Sequence, residues 1–123
     1  PMLYFLSEER SASPVVRKDA RKKLRLPNSQ VTYELLTPDL DRKMEMFVAT
    51  LKPTQKNIAT PLAHPTEECI FVLQGRLRVC LDESEYELEA GDSIYFEGPR
   101  LRALAAIGEE PVSFVSAMTP AVF

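Results

Sequence analysis

Proline limits this chain more than any other residue. Ten prolines stand against only four glycines, and after Pro1 they recur at 14, 27, 38, 53, 61, 65, 99, 111 and 120. A proline inside a helix removes a backbone donor and collides with the preceding turn, so few windows here are long enough for a helix. Between the prolines lie short runs, some alternating with period two and one, residues 68–73, of continuous buried type. Residues 31–36, 43–51, 68–73, 76–81, 86–89, 93–96, 101–107 and 112–118 read as short strands, divided by turn signals such as Lys52-Pro53, Gln74-Gly75 and Gly108-Glu109-Glu110-Pro111. Residues 54–66 read as a polar, proline-punctuated loop. Many short strands at regular turn spacing predict an all-β sandwich or barrel. The expected division is an irregular N-terminal extension over 1–30, adding edge strands, and one barrel domain over 31–123.

Composition narrows the classes. At 123 residues and 45% hydrophobic, the chain is long and apolar enough to close one core, which excludes disorder as its main state. No stretch approaches the roughly 20 apolar residues of a membrane span, and Met2-Leu3-Tyr4-Phe5-Leu6 is too short for a signal peptide. The expectation is a cytoplasmic protein that does not engage membranes. Cys69 and Cys80 fit no zinc spacing and are expected to be reduced, buried thiols. The net charge of -3 argues against a grip on nucleic acid by charge alone. Residues 17–25 are strongly basic, which suits either a segment close to a polyanion or a solvated strand guarding an exposed edge.

Little in the chain supports nucleophilic catalysis. Each cysteine lies in a strand run, four scattered glycines cannot form a phosphate loop, and His64 is the one histidine. Met44, Met46 and Val48 share a strand face, as core or as the pliable wall of a pocket. Leu62, His64, Glu68, Ile70 and Val72 share parity, so an unbroken strand points them to one side.

Two segments carry a resemblance. His64, Glu68 and Gly75 keep the spacing of the second half of G-x5-H-x-H-x3,4-E-x6-G, and Gly91 opens a second motif, G-x5-P-x-G-x2-H-x3-N. These resemble the cupin superfamily, whose members are jelly-roll barrels, or double-stranded β-helices, with a metal site in the mouth. The resemblance implies that His64 and Glu68 lie in the barrel interior. It is incomplete: Leu62 stands for the first histidine, Glu97 for proline, Pro99 for glycine, Arg102 for the last histidine and Ala106 for asparagine. Half of the family's metal ligands are replaced, and an arginine projected into that space would repel a cation. The expectation is therefore a degenerate site with no metal, no cofactor and no catalytic residue. Arg102 would pair with an anionic ligand or with Glu68 in a salt bridge that plugs the vacated space.

A narrower resemblance covers most of the chain. Residues 31–39, 43–47, 67–75, 88–96 and 118–123 are similar, in order and spacing, to the C-terminal sensor domains of bacterial XRE-type helix-turn-helix transcriptional regulators. That family implies a homodimeric domain that binds a small-molecule effector, an anionic one included, and reaches DNA only through a helix-turn-helix domain absent from this chain. His64, Glu68, Arg102, Leu62 and Met46 would line the pocket. The alternative is a metal-dependent cupin enzyme, a dioxygenase or an isomerase.

Overall fold

A computed structural model describes residues 13–25, 31–58 and 65–120, with the backbone alone for Tyr4–Phe5 and Lys56–Ile58. Its strands are β1 (Tyr4–Phe5), β2 (Lys23–Arg25), β3 (Thr32–Leu35), β4 (Glu45–Leu51), β5 (Lys56–Ile58), β6 (Glu67–Gln74), β7 (Arg76–Leu81), β8 (Ser84–Glu89), β9 (Ser93–Glu97), β10 (Leu101–Ala106) and β11 (Val112–Thr119). Two single turns of 3-10 helix, Lys18–Ala20 and Gly98–Arg100, are the helical pieces among the described residues. The all-β expectation holds. β5 lies inside the stretch expected to be loop, because its three residues pair with Ala103, Leu104 and Ala105 although their sequence carries no strand pattern.

The strands form two antiparallel sheets, a seven-stranded one in the order β1-β2-β3-β4-β11-β6-β9 and a four-stranded one in the order β5-β10-β7-β8. Neighbours distant in sequence, such as β4 and β11, lie side by side, so the chain crosses repeatedly between sheets, as in a jelly roll. The strongly basic N-terminal run supplies β2, which joins the large sheet through Lys23↔Glu34, Leu24↔Tyr33 and Arg25↔Thr32. Lys23 and Arg25 stay exposed while Leu24 is buried, so here the solvated-strand reading of the basic run applies.

Alternation sorts each strand into a dry face and a wetter one. Phe47, Ala49 and Leu51 of β4, Ile70 and Val72 of β6, and Val112 and Phe114 of β11 meet Leu77, Val79 and Leu81 of β7, with Leu88 and Leu104, in one core. Burial of such side chains supplies most of the stabilisation, about 1.5–3 kcal/mol for each large one.

Gly75 explains why glycine closes the first motif. Its φ of +82° suits the tight β6–β7 turn, and a Cβ there would collide with the Pro111 carbonyl oxygen. Gly91, at φ +94°, turns β8 into β9 and donates its N–H to the Val72 carbonyl at 2.9 Å.

Candidate functional site

The chemistry gathers at one end of the barrel interior, on the inner face of the large sheet. Register places Phe96, Glu68, Met118 and Glu45 side by side across β9, β6, β11 and β4. The next row inward runs Ile94, Ile70, Ser116, Phe47 and Leu35. Because Ser116 sits diagonally from Glu68, its hydroxyl donates to Glu68 Oε2 at 2.6 Å. Tyr33 packs edge-on against Phe47 with ring centroids 6.1 Å apart. Thr66 precedes Glu68 on the same inward parity and is also buried.

These groups are dry. Glu45 is fully buried and Glu68 is 7% exposed, with Phe96 and Met118 flanking Glu68 in the register. Burial pushes the Glu68 carboxyl up from 4.5 to about 7, against the hydrogen bond from Ser116, which favours the ionised form. Burial, and then the negative charge of Glu68, push the Tyr33 phenol above its ordinary range. Near neutral pH, Glu68 is thus poised between accepting hydrogen bonds only and donating one.

A family model for the cupin domain matches residues 47–118, more than half of the chain. The chain belongs to the cupin family. Among solved structures, it is similar to an HTH_3 family transcriptional regulator from Vibrio cholerae, at 28% identity with a TM-score of 0.66. That match covers 77% of this cupin and 54% of the regulator, so the chain spans about half the length of that protein. The Cupin_2 domain of an XRE family regulator from Enterobacter cloacae matches at 24% identity, over 72% of this chain and 95% of that one, with a TM-score of 0.66. The hydroxypropylphosphonic acid epoxidase from S. wedmorenis shares the fold at 19% identity, over 84% and 57% of the two chains, with a TM-score of 0.65. Cupins of this shape thus include both regulator domains and an enzyme.

The structure redistributes the residues expected to line the pocket. Glu68 lies inside, with Ile70 and Val72 on the same parity. Leu62 and His64 lie outside the described residues. Arg102 is not in the barrel. On an unbroken strand it would share the inward parity of Leu104, but the register shifts between Leu101 and Ala103, so that Leu101 faces Leu81 while Ala103 faces Cys80. Arg102 is the extra residue of that bulge, and such a bulge re-aims a side chain. Its guanidinium points outward, to Asp82 Oδ1 at 2.9 Å and the Pro99 carbonyl at 2.7 Å. Asp82 also accepts from Arg100 Nε at 2.8 Å, which ties the β7–β8 turn to the segment before β10. The expected Glu68–Arg102 plug is therefore absent, and Arg102 lines only an open surface depression with Asp82, Glu83 and Ser84.

Met46 is likewise displaced. In β4 the inward residues are Glu45, Phe47, Ala49 and Leu51, so Met46 and Val48 lie half-buried on the outer face and Met44 is 51% exposed. The core reading of that methionine face is corrected, and so is the buried reading of the cysteines: Cys69 is exposed on the same outer side and Cys80 is half-buried. Apolar residues occupy both faces of this sheet, so an apolar run does not by itself show which of its residues are buried. Glu45 went unnoticed for that reason. Its shared parity with Phe47 and Leu51 is the signal that places it inside.

The family's metal needs three or more N, O or S donors. Among the described residues, no group of three or more His, Cys, Asp or Glu is placed to hold an ion. Two carboxyls separated by Met118, one of them bound by a serine hydroxyl and driven toward its protonated form, do not make up that set. Among the described residues no helix is long and apolar enough to cross a membrane.

Proposed function

We propose that this cupin is the small-molecule sensing half of a cytoplasmic transcriptional regulator, acting as a homodimer and without enzymatic activity. DNA would be read by a helix-turn-helix domain outside the 123 residues. The observation that carries the reading is the polar end of an otherwise apolar barrel: Glu68 held by Ser116, with the Tyr33 phenol and Glu45 close by. Pockets of this kind draw affinity from apolar walls and orientation from a few polar groups. The likeness to the Vibrio cholerae regulator, at 28% identity, supports the same reading. His64 and Leu62, on the segment leading into β6, complete the proposed lining.

With Arg102 outside, the described wall offers carboxyl, hydroxyl and phenol groups and no cation. A neutral effector, or one bearing hydrogen-bond donors, suits that wall better than an anion does. Thermal-shift screening of the purified protein tests the reading with neutral, amine and carboxylate compounds. A true effector at a hundredfold over its dissociation constant adds about 2.7 kcal/mol of stability. That gain should shrink in Ser116→Ala and Glu68→Gln. Absence of any response across a broad panel, or a stoichiometric metal ion with turnover of a substrate, would overturn it in favour of a closed module or an enzyme.

A further inference from the structure

Positive charge is gathered into one short segment. Within residues 17–25, Arg17, Lys18, Arg21, Lys22, Lys23 and Arg25 stand against Asp19 alone, while the chain as a whole carries a net charge of -3. The segment forms a single 3-10 turn, Lys18–Ala20, in which no residue is buried, and then runs extended into β2. Leu24 is its one buried side chain and pins it to the core. At about 2.0 Å per residue in the turn and about 3.3 Å in the strand, Arg17 to Arg25 spans up to roughly 20 Å.

The neighbouring acids leave most of this charge uncompensated. Glu34, opposite Lys23 in the register, lies 4.0 Å from Arg21 Nη1, at the limit of an ion pair. Arg25 Nη2 donates to the Thr32 hydroxyl at 3.4 Å, a long hydrogen bond to a neutral group. Arg17, Lys18 and Lys23 are exposed and make no ion pair among the described residues. Lys23 and Arg25 point to the same side about 7 Å apart and repel each other. β1 pairs outside β2 at Leu24 and Arg25, so Arg25 guards no open edge. Solvated in the free chain, these cations are open to an anion.

We propose that this basic segment lies along the sugar-phosphate backbone of duplex DNA, beside the site read by the helix-turn-helix domain of the proposed function. The shape of the array selects a polymer. Arg17, Lys18, Lys23 and Arg25 fan out along an extended strip and offer a small anion no converging donors, whereas each DNA strand repeats a negative charge about every 3.4 Å of its axis. Contacts of this type position a protein on the duplex without reading its sequence, which leaves base recognition to the other domain. The acidic remainder of the chain is repelled by the same polyanion, so the segment sets which side approaches it. A lipid surface fits less well, because it would take up apolar side chains among the cations, and here Leu24 is in the core and Val15 alone is exposed nearby. The proposal rests on the regulator reading for the choice of DNA as the polyanion, and not on the pocket or its effector.

Fluorescence anisotropy of a labelled duplex of arbitrary sequence, titrated with the 123-residue chain, tests it. At about 20 mM salt the dissociation constant should be about 100 μM or lower, and a change of duplex sequence should leave it unaltered. Log affinity against log salt should fall with a slope of about −3 to −4, as expected for about four phosphates. Arg17→Gln, Lys18→Gln, Lys23→Gln and Arg25→Gln should each flatten that slope by about one unit. Arg76→Gln, at an exposed cation outside the segment, should leave it unchanged. All five alter exposed side chains, so their circular dichroism should stay that of wild type. No binding at about 20 mM salt, or a slope unmoved by the four variants, would overturn the proposal. So would tighter binding to phosphatidylglycerol vesicles than to duplex at equal negative charge, which would assign the segment to a lipid surface. Duplex binding alongside a silent effector screen would fault the pocket and uphold the segment, and the converse would fault the segment alone.

Discussion

Replacing Glu68 by glutamine should make this protein more stable, and increasingly so as the pH rises. The carboxyl is 7% exposed and burial raises its pKa from 4.5 to about 7. Between those values the folded chain holds a proton that the unfolded chain has released, so folding is favoured on the acid side and penalised on the alkaline side. The penalty is absent below about pH 4.5, grows through the interval and is complete above about pH 7. At about 1.4 kcal/mol per pH unit, a rise from 4.5 to about 7 comes to about 3 kcal/mol. Glutamine keeps the shape and an oxygen for the Ser116 hydroxyl, and it never ionises. Urea unfolding of both proteins, at about half-unit steps between about pH 5 and pH 8.5, gives the difference in free energy directly, with every other titrating group cancelling. The two should be close at about pH 5, and the variant ahead by up to about 3 kcal/mol at about pH 8. A difference that stays flat across the range would refute the reasoning, since it would mean that Glu68 ionises in the folded protein as it does in water.

Ser116→Ala removes the donor that favours ionised Glu68, so the midpoint of the same pH dependence should move to higher pH; an unmoved midpoint would count against the hydrogen bond at 2.6 Å. Gly75→Ala places a side chain at φ +82° against the Pro111 carbonyl, and should lower stability by more than the roughly 1–2 kcal/mol of left-handed strain alone, read as a fall in the urea midpoint. Arg102→Ala breaks an exposed pair with Asp82, so calorimetry should find it within about 1 kcal/mol of wild type, far from the loss expected of a buried plug.

Much of the architecture could be read in advance because strand pattern and turn chemistry are local properties. Residues 76–81 form β7 with the expected limits, and the closing Gly75 sits where backbone geometry demands glycine. β5 was invisible because its pairing with β10 is set by the partner and not by its own sequence. Site residues depended on facing, and facing is fragile: a shift of one residue turns every later side chain over. Glu68 keeps its parity through an unbroken β6 start and faces the barrel interior with Ile70 and Val72. Arg102 shared the inward parity of Leu104 until a bulge intervened, and no turn residue or glycine marks that bulge in the sequence. Glu45 and Met46 exchanged roles because β4 carries apolar residues on both sides, which hides the true dry face.

That doubly apolar sheet sets the site back to back with an outer face. Glu45, Glu68 and Ser116 face the barrel, and their chain neighbours Met46, Cys69 and Val115 face outward. A molecule that displaces the Glu68–Ser116 contact shifts backbone whose other side is outer surface, and in the proposed homodimer effector binding and association then become linked equilibria. Linkage of this sort is reciprocal: if the effector tightens the dimer by some factor, dimerisation tightens effector binding by the same factor. Effector affinity measured by calorimetry at protein concentrations well below and well above the dimer dissociation constant should therefore differ by the factor by which saturating effector changes that constant. Equal affinities for monomer and dimer would sever the two faces, since a ligand that does not distinguish two states cannot shift the balance between them.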